Sequence, residues 1–126
     1  MSVTNFDSDP ATYVATVLIL YLDLPHTPLR ASAPDQWIAR RLHYQAVPLP
    51  LVESALLLAS LRRLVRPDGL PTLPPIRSLA YFQPVIAELQ AHPLPDNYLD
   101  YLRLKLRNLA KTVPAKVQKT TFPDDR

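Results

Sequence analysis

Proline and glycine occur in very unequal numbers in this chain, with 15 prolines and a single glycine among 126 residues. Glycine provides the positive φ angles that tight hairpins and phosphate-binding loops need, whereas proline stiffens connectors and ends helices. The composition therefore excludes Walker and Rossmann loops and favours helices separated by proline-rich connectors. A chain of this length is expected to form one domain around one core.

Five segments between the prolines carry apolar residues at helical spacing. Asp9 stands before Pro10 as an N-cap, and Asp96 precedes the last segment in the same way. Ser32 and Asp35 have the spacing of a capping box, in which each side chain bonds the backbone of the other residue. The predicted helices cover residues 10–23, 32–45, 51–66, 76–90 and 97–111.

The resulting prediction is an all-α fold, a single compact bundle of about five helices with proline-rich connectors. The helix predicted near residues 51–66 is apolar almost all round, which is typical of a central helix. The bundle domain is expected to span residues 1–112, and residues 113–126 to form a basic, mobile tail. The predicted common core contains Leu56, Leu57, Leu61, Leu79, Phe82 and Leu102.

More specific predictions can be made for two of the helices. Pro84 lies inside the fourth predicted helix, where a proline removes a backbone donor and clashes with the preceding turn. A kink or break is therefore expected between Phe82 and Pro84. On the second helix the predicted apolar side consists of Trp37, Ile38, Ala39 and Leu42, with Tyr44 as a further candidate, while Arg40, Arg41 and His43 point partly outward.

The absence of cysteine from the sequence excludes disulfides, thiolate metal sites and cysteine nucleophiles, and it is typical of a reducing compartment. The longest apolar run, residues 13–22, is too short to span a bilayer, which needs roughly 20 apolar residues. No basic residue precedes Arg30, so this run is not expected to be a signal peptide. We expect a cytoplasmic protein without a membrane partner.

No arrangement of residues typical of catalysis is found in the sequence. His26, His43 and His92 have no spacing that would place two of them on one helix face as metal ligands. Ser54 and Ser60 fall in the apolar central helix, without the glycine neighbours of a nucleophile elbow. We expect no enzyme, no catalytic residue, no metal and no cofactor.

Positive charge is concentrated in two parts of the chain, although the net charge is only +3. Residues 102–122 contain six basic residues and no acid. Such a stripe can bind phosphates, and a solvated helix face followed by a flexible tail explains it equally well. The candidate nucleic-acid-binding residues are Arg103, Lys105, Arg107 and Lys111 in the last helix, and Arg62, Arg63, Arg66 and Arg77 in the middle of the chain.

Tyrosines accompany the cations of the last predicted helix, where Tyr98 and Tyr101 precede Arg103. Aromatic rings beside cations can stack on exposed bases. Rings that flank a leucine seam more often cover the edge of a core, and this is the preferred interpretation. The second and third helices have the outline of a helix-turn-helix, but the third offers too few polar residues to read base edges in a major groove.

Two stretches of the chain resemble a known group of proteins. They are residues 38–64, IARRLHYQAVPLPLVESALLLASLRRL, and residues 74–89, PPIRSLAYFQPVIAEL, the second with Ser78, Tyr81, Phe82 and Val85. Both resemble the small helical domains of replication-initiator and DnaD-type proteins of bacterial mobile elements. The resemblance implies a nucleic-acid-associated module without enzymatic activity. The DnaD-type pattern has a tryptophan after the position of Ile86, whereas the single tryptophan of this chain is Trp37.

Two hypotheses of function result from these observations. The first is an accessory domain that binds nucleic acid mainly through phosphate contacts. The second is a protein-interaction module, either a homodimer or a subunit of a larger assembly, whose basic residues are merely solvated. Basic residues that converge on one face would favour the first hypothesis. Scattered basic residues beside an open apolar face would favour the second.

Overall fold

A computed structural model describes residues 9–67, 69–71 and 73–112, with side chains as far as residue 109. The predicted tail, residues 113–126, and residues 1–8 of the predicted domain lie outside the described residues. Within the described ranges the chain forms helices and no strand, which confirms the all-α prediction. The elements are α1 (Pro10–Leu22), α2 (Ala33–Tyr44), α3 (Leu49–Leu64), a 3-10 helix (Leu79–Phe82), α4 (Gln83–Ala91) and α5 (Tyr98–Thr112).

Helix α3 is the centre of the bundle, as its nearly continuous apolar sequence predicts. It packs against α1, α4 and α5, and Val52, Ala55 and Leu56 are fully buried. All of the predicted core residues are buried in one cluster, from Leu56 on α3 to Leu102 on α5. The helix begins at Leu49, two residues before the predicted start, because Pro50 is accommodated in its first turn.

The direction of α1 relative to α3 follows from two contacts at their ends. Near the start of α1, the Tyr13 hydroxyl donates a hydrogen bond of 2.6 Å to the carbonyl of Val47, just before α3. Beyond the end of α1, His26 lies against Arg63 in the last turns of α3. The two helices therefore run side by side in the same direction. None of the described helices is long and apolar enough to cross a bilayer.

Helix α2 is held to the bundle by a fully buried carboxylate at its start. Asp35 accepts hydrogen bonds from the backbone N–H of Ser32 at 3.0 Å and of Leu79 at 2.8 Å. The Ser78 hydroxyl donates a third, at 3.3 Å. The predicted capping box is confirmed, since the Ser32 side chain also accepts from the Asp35 N–H. Asp35 therefore both caps α2 and joins it to the 3-10 helix.

The prediction that Trp37 and Tyr44 lie on the buried side of α2 is wrong. Trp37 is 57% exposed and Tyr44 is 89% exposed. The buried positions of α2 are Asp35, Ile38, Ala39 and Leu42. At 3.6 residues per turn these positions form one stripe, and both aromatic residues fall on the opposite side of the helix. Apolar character alone therefore assigned these two rings to the wrong face.

The predicted interruption at Pro84 is confirmed. The chain from Leu79 to Phe82 is a separate 3-10 helix, and α4 begins at Gln83 with Pro84 in its first turn. Because Pro84 has no N–H, the carbonyl of Ala80 accepts instead from the N–H of Gln83. The predicted helix was too long at its start, because Ser78 has extended backbone angles and caps the 3-10 helix.

Candidate functional site

Arg62 is engaged in an ion pair with α4. Its guanidinium donates two hydrogen bonds to the Glu88 carboxylate, at 2.9 Å and 2.7 Å. This contact lowers the pKa of Glu88 and raises that of Arg62, since each charge favours the ionised form of the other. Both side chains remain partly exposed, but the charge of Arg62 is balanced within the protein.

Arg63 is buried, with 7% of its surface exposed, and bonds three other groups. Its guanidinium donates to the carbonyl of Pro74 at 2.8 Å and contacts His26 Nδ1 at 3.1 Å and the Tyr81 hydroxyl at 3.4 Å. Burial, and then the charge of Arg63, lower the pKa of His26. Arg63 therefore joins the end of α3 to the two connectors around it, and its burial leaves it unable to reach a phosphate on a partner.

Arg66 and Arg77, the other two candidate cations in the middle of the chain, differ in their contacts. Arg66 donates a hydrogen bond of 2.8 Å to the carbonyl of Pro71, so it braces the connector that follows α3. Arg77 is exposed and has no ion pair in the described part of the chain. Among these four candidate cations, Arg77 is the one without a polar partner in the ranges that the structure describes.

The cations of helix α5 likewise include both paired and unpaired residues. Arg103 donates two hydrogen bonds of 2.8 Å to Glu53 on α3 and a third, of 3.2 Å, to Asp100. The contact with Glu53 is the main reason that the pKa of Arg103 is raised. Lys105 and Arg107 are exposed, without an ion pair among the described residues. Lys111 belongs to the last turn of α5, and its side chain lies outside the described part.

The two predicted basic groups do not converge on one face of the bundle. Glu53 holds Arg103, and it is nine residues from Arg62 on α3. Nine residues are about two and a half turns, so the two side chains point to opposite sides of α3. Lys105 is likewise two residues from Arg103, which places the two on different sides of α5.

An aromatic and cationic surface that the sequence analysis missed lies on α2. We name it the α2 outer face, and it consists of Trp37, Arg40, Arg41 and Tyr44, all exposed. The Arg41 guanidinium lies over the Trp37 ring, 5.0 Å from its centroid. This surface could have been found in the sequence. Trp37 and Tyr44 are seven residues apart, which places them on one side of a helix, and that side is opposite the buried stripe of Asp35.

A groove of about 520 Å³ runs between α1 and α5, with α3 as its floor. Its apolar lining includes Leu20, Leu24, Leu56, Leu57 and Leu106. Charged side chains at its edge are Asp23, Glu53, Arg103 and Arg107. The groove is open to solvent, and Leu20 is the leucine of its lining that is partly exposed, since the other four belong to the buried core.

Residues that could support metal binding or nucleophilic catalysis do not gather in the described part of the chain. No group of three or more histidine and acidic side chains is close enough there to hold a metal ion. Ser54 and Ser60 are buried on α3. His26 is held by Arg63, and His43 packs edge-on against the Tyr13 ring.

Comparison with known proteins adds no assignment to this geometry. No family model, no curated protein and no solved structure matches the chain. The resemblance to replication-initiator and DnaD-type domains therefore stays a prediction.

Proposed function

We propose that this chain is a nucleic-acid-associated binding domain without enzymatic activity, which contacts phosphates through cations that its own carboxylates leave unpaired. Such a domain would act in the cytoplasm and need no metal or cofactor. The proposal agrees with the function implied by the resemblance of residues 38–64 and 74–89, and it changes the set of residues expected to bind.

The main support for the proposal is the pairing of surface charges, in which most carboxylates are paired and several cations are not. Most carboxylates near the bundle are engaged: Glu53 and Asp100 with Arg103, Glu88 with Arg62, and Asp35 in the interior. The exposed cations without an ion pair in the described part are Arg30, Arg40, Arg41, Arg77, Lys105 and Arg107. The exposed carboxylates without an ion pair there are Asp9, Asp23 and Asp96. The surface therefore has an excess of available positive charge, which attracts polyanions.

The set of contact residues predicted from the sequence changes, because some of these cations are paired or buried. Lys105, Arg107 and Arg77 remain in it, and Lys111 remains as a prediction outside the described side chains. Arg62, Arg66 and Arg103 contribute less in the proposed complex, because each would have to give up an intramolecular bond. Arg63 is no longer a candidate contact residue, because it is buried.

A titration with single-stranded and duplex DNA at two salt concentrations tests the proposal. Each cation that neutralises a phosphate contributes close to one unit to the slope of log affinity against log salt. The double variant Lys105→Ala/Arg107→Ala should therefore lower the slope by up to about two units. A charge-neutral control, Arg62→Ala/Glu88→Ala, should leave the slope unchanged. Absence of binding at low salt would overturn the proposal.

Two observations favour a second candidate function, a homodimeric protein-interaction module. The two predicted basic groups do not converge on one face, and the groove between α1 and α5 has an apolar lining in which Leu20 is partly exposed. A second copy offers a matching feature, because Tyr101 and Leu104 are exposed one turn apart on α5. Under this alternative the exposed cations are solvated and bind no nucleic acid.

Sedimentation velocity over a range of protein concentrations tests this alternative. A homodimer that uses the groove should dissociate in the variant Leu20→Glu, because a carboxylate would be placed against leucines. Ile19→Glu, on the same helix at a position that is already exposed, is the matched control and should leave the dimer intact. A chain that stays monomeric at all concentrations would exclude the homodimer.

A further inference from the structure

We infer that the α2 outer face is a stacking surface for the bases of single-stranded nucleic acid. This inference rests on the proposed function, and it assigns the base contacts to α2 rather than to the basic helix α5. The expected contacts are stacking on the rings of Trp37 and Tyr44 and ion pairing of phosphates with Arg40 and Arg41.

The arrangement of the two rings supports this assignment. Trp37 and Tyr44 are seven residues apart, which is about two turns and about 10 Å along the helix axis. Both point away from the buried stripe that contains Ile38 and Leu42. Two large aromatic rings are therefore presented on the same side of one helix. Tyrosine and tryptophan are enriched at binding surfaces, because burial of their rings in a complex is favourable.

The charges on this face match a nucleic-acid strand. Arg40 and Arg41 follow one another between the two rings and fall on either side of the line that joins them. The only acid of α2, Asp35, is fully buried on the opposite side. Arg41 already lies over the Trp37 ring, and from there its guanidinium could bind a phosphate while one ring face takes a base.

The surface is rigid, which lowers the entropic cost of binding. The start of α2 is fixed by the capping box and by the bonds of Asp35 to the 3-10 helix. Ala39 and Leu42 are buried against the rest of the bundle. The backbone from which the outer side chains project is therefore fixed before a ligand arrives.

Single strands suit this face better than a duplex. In a duplex the bases are already stacked on one another, so the rings could gain only contacts with sugars and phosphates. A single strand exposes base faces that Trp37 and Tyr44 can cover without the cost of unpairing. The same face is expected to accept different sequences, because every base offers a π surface.

The single tryptophan makes the inference directly measurable. Trp37 fluorescence would be followed while the full chain is titrated at low salt with oligodeoxythymidine of about 16 nucleotides, the upper site size for one small binding fold. Stacking should quench this emission as the strand binds. A duplex of the same length should bind more weakly and quench less.

Variants are compared by the anisotropy of a labelled oligonucleotide. Trp37→Ala should weaken binding roughly 5- to 150-fold, the range expected for the loss of one stacked base. Trp37→Tyr should restore most of the affinity, because a tyrosine ring also stacks. Tyr101→Ala removes an exposed ring from α5 and is the matched control, with an expected change below about 2-fold on the same scale. Melting curves would show that each variant remains folded, as exposure of these rings predicts.

The outcomes separate this inference from the proposed function. If the chain binds the strand and Trp37→Ala binds as well as the parent, the inference is wrong and the proposed function stands. If Tyr101→Ala weakens binding as much as Trp37→Ala, the inference is also wrong. No binding to single strand or duplex at low salt would overturn both. A concentration-dependent dimer that Trp37→Ala abolishes, without oligonucleotide binding, would assign the face to self-association and overturn the inference.

Discussion

Two arginines in this chain lie over aromatic rings, and their surroundings differ sharply. Arg63 lies 5.4 Å from the centroid of the Tyr81 ring, is buried, and also bonds His26 and the Pro74 carbonyl. Arg41 lies 5.0 Å from the centroid of the Trp37 ring, is exposed, and has no ion pair in the described part of the chain. The same pairing of a cation and a ring therefore holds the structure together in one place and remains available to a ligand in the other.

The comparison shows that residue type and local spacing do not decide the role of a cation. What decides it is whether the fold brings an acceptor within reach. Arg63 meets acceptors from two connectors, whereas the contact found for Arg41 within the described residues is the Trp37 ring.

Replacement of each arginine by alanine should separate the two roles most clearly. Arg63→Ala should lower the free energy of unfolding by roughly 3 kcal/mol, because it leaves a cavity and an unpaired carbonyl. Arg41→Ala should change it by less than about 0.5 kcal/mol, as expected for an exposed side chain. Urea denaturation of both variants measures the difference. Similar losses for the two would contradict the distinction between the buried and the exposed pair.

The inner and outer sides of α2 should differ in the same way. Asp35→Asn should destabilise the fold by roughly 1 to 3 kcal/mol, because each carboxylate oxygen accepts one of the two N–H groups and the amide nitrogen that replaces one oxygen is a donor. Gln36→Ala, one residue along on the exposed surface, should change stability by less than about 0.5 kcal/mol. Thermal melts of the two variants would check this. An unchanged melting temperature for Asp35→Asn would show that Asp35 does not fix α2.

The partial burial of His26, together with its contact with Arg63, should make stability depend on pH. The pKa of His26 is lowered in the folded state from its ordinary value of 6.5, so the unfolded chain binds the proton more readily. This contribution is fully present above about pH 6.5 and is lost as the pH falls from there towards the lowered pKa of the folded state. Melting temperatures measured from about pH 8 to about pH 5 should therefore decline.

The variant His26→Asn tests the origin of this decline. Asparagine tolerates the positive φ of 72° at this position, and its side-chain oxygen can accept from Arg63. It does not titrate, so the fall in melting temperature with pH should become shallower. An identical fall in the variant would assign the pH dependence to other groups. The exposed His92→Asn is the matched control and should leave the slope unchanged.

The smallest change in stability is expected when a paired cation is made free. The double variant Glu53→Gln/Asp100→Asn removes both charges that Arg103 faces, and each lost pair should cost only about 0.2 to 1 kcal/mol, as is typical of ion pairs with an exposed partner. If availability decides which cations bind phosphates, the released Arg103 should raise the salt slope of DNA binding by up to about one unit. A slope that stays the same would show that pairing does not control binding.

Much of the fold could be predicted from local sequence signals. Proline positions and capping residues located the helices to within a few residues, because these effects act within one turn. The break at Pro84 and the capping box of Ser32 and Asp35 are examples. The apolar sequence of α3 likewise predicted its central position, since a helix without a polar side must be covered on every side.

The availability of the charged and aromatic side chains was decided only by the tertiary structure. Arg103 and Glu53 are 50 residues apart in the chain, and Arg62 and Glu88 are 26 apart, so no local pattern pairs them. Helix packing brings these charges together and leaves Arg40 and Arg41 without an ion pair to any described carboxylate. It also turns Trp37 outward, because the buried carboxylate of Asp35 fixes which side of α2 faces the core. Local sequence thus determined where the helices lie, whereas long-range packing determined which of their side chains a partner could reach.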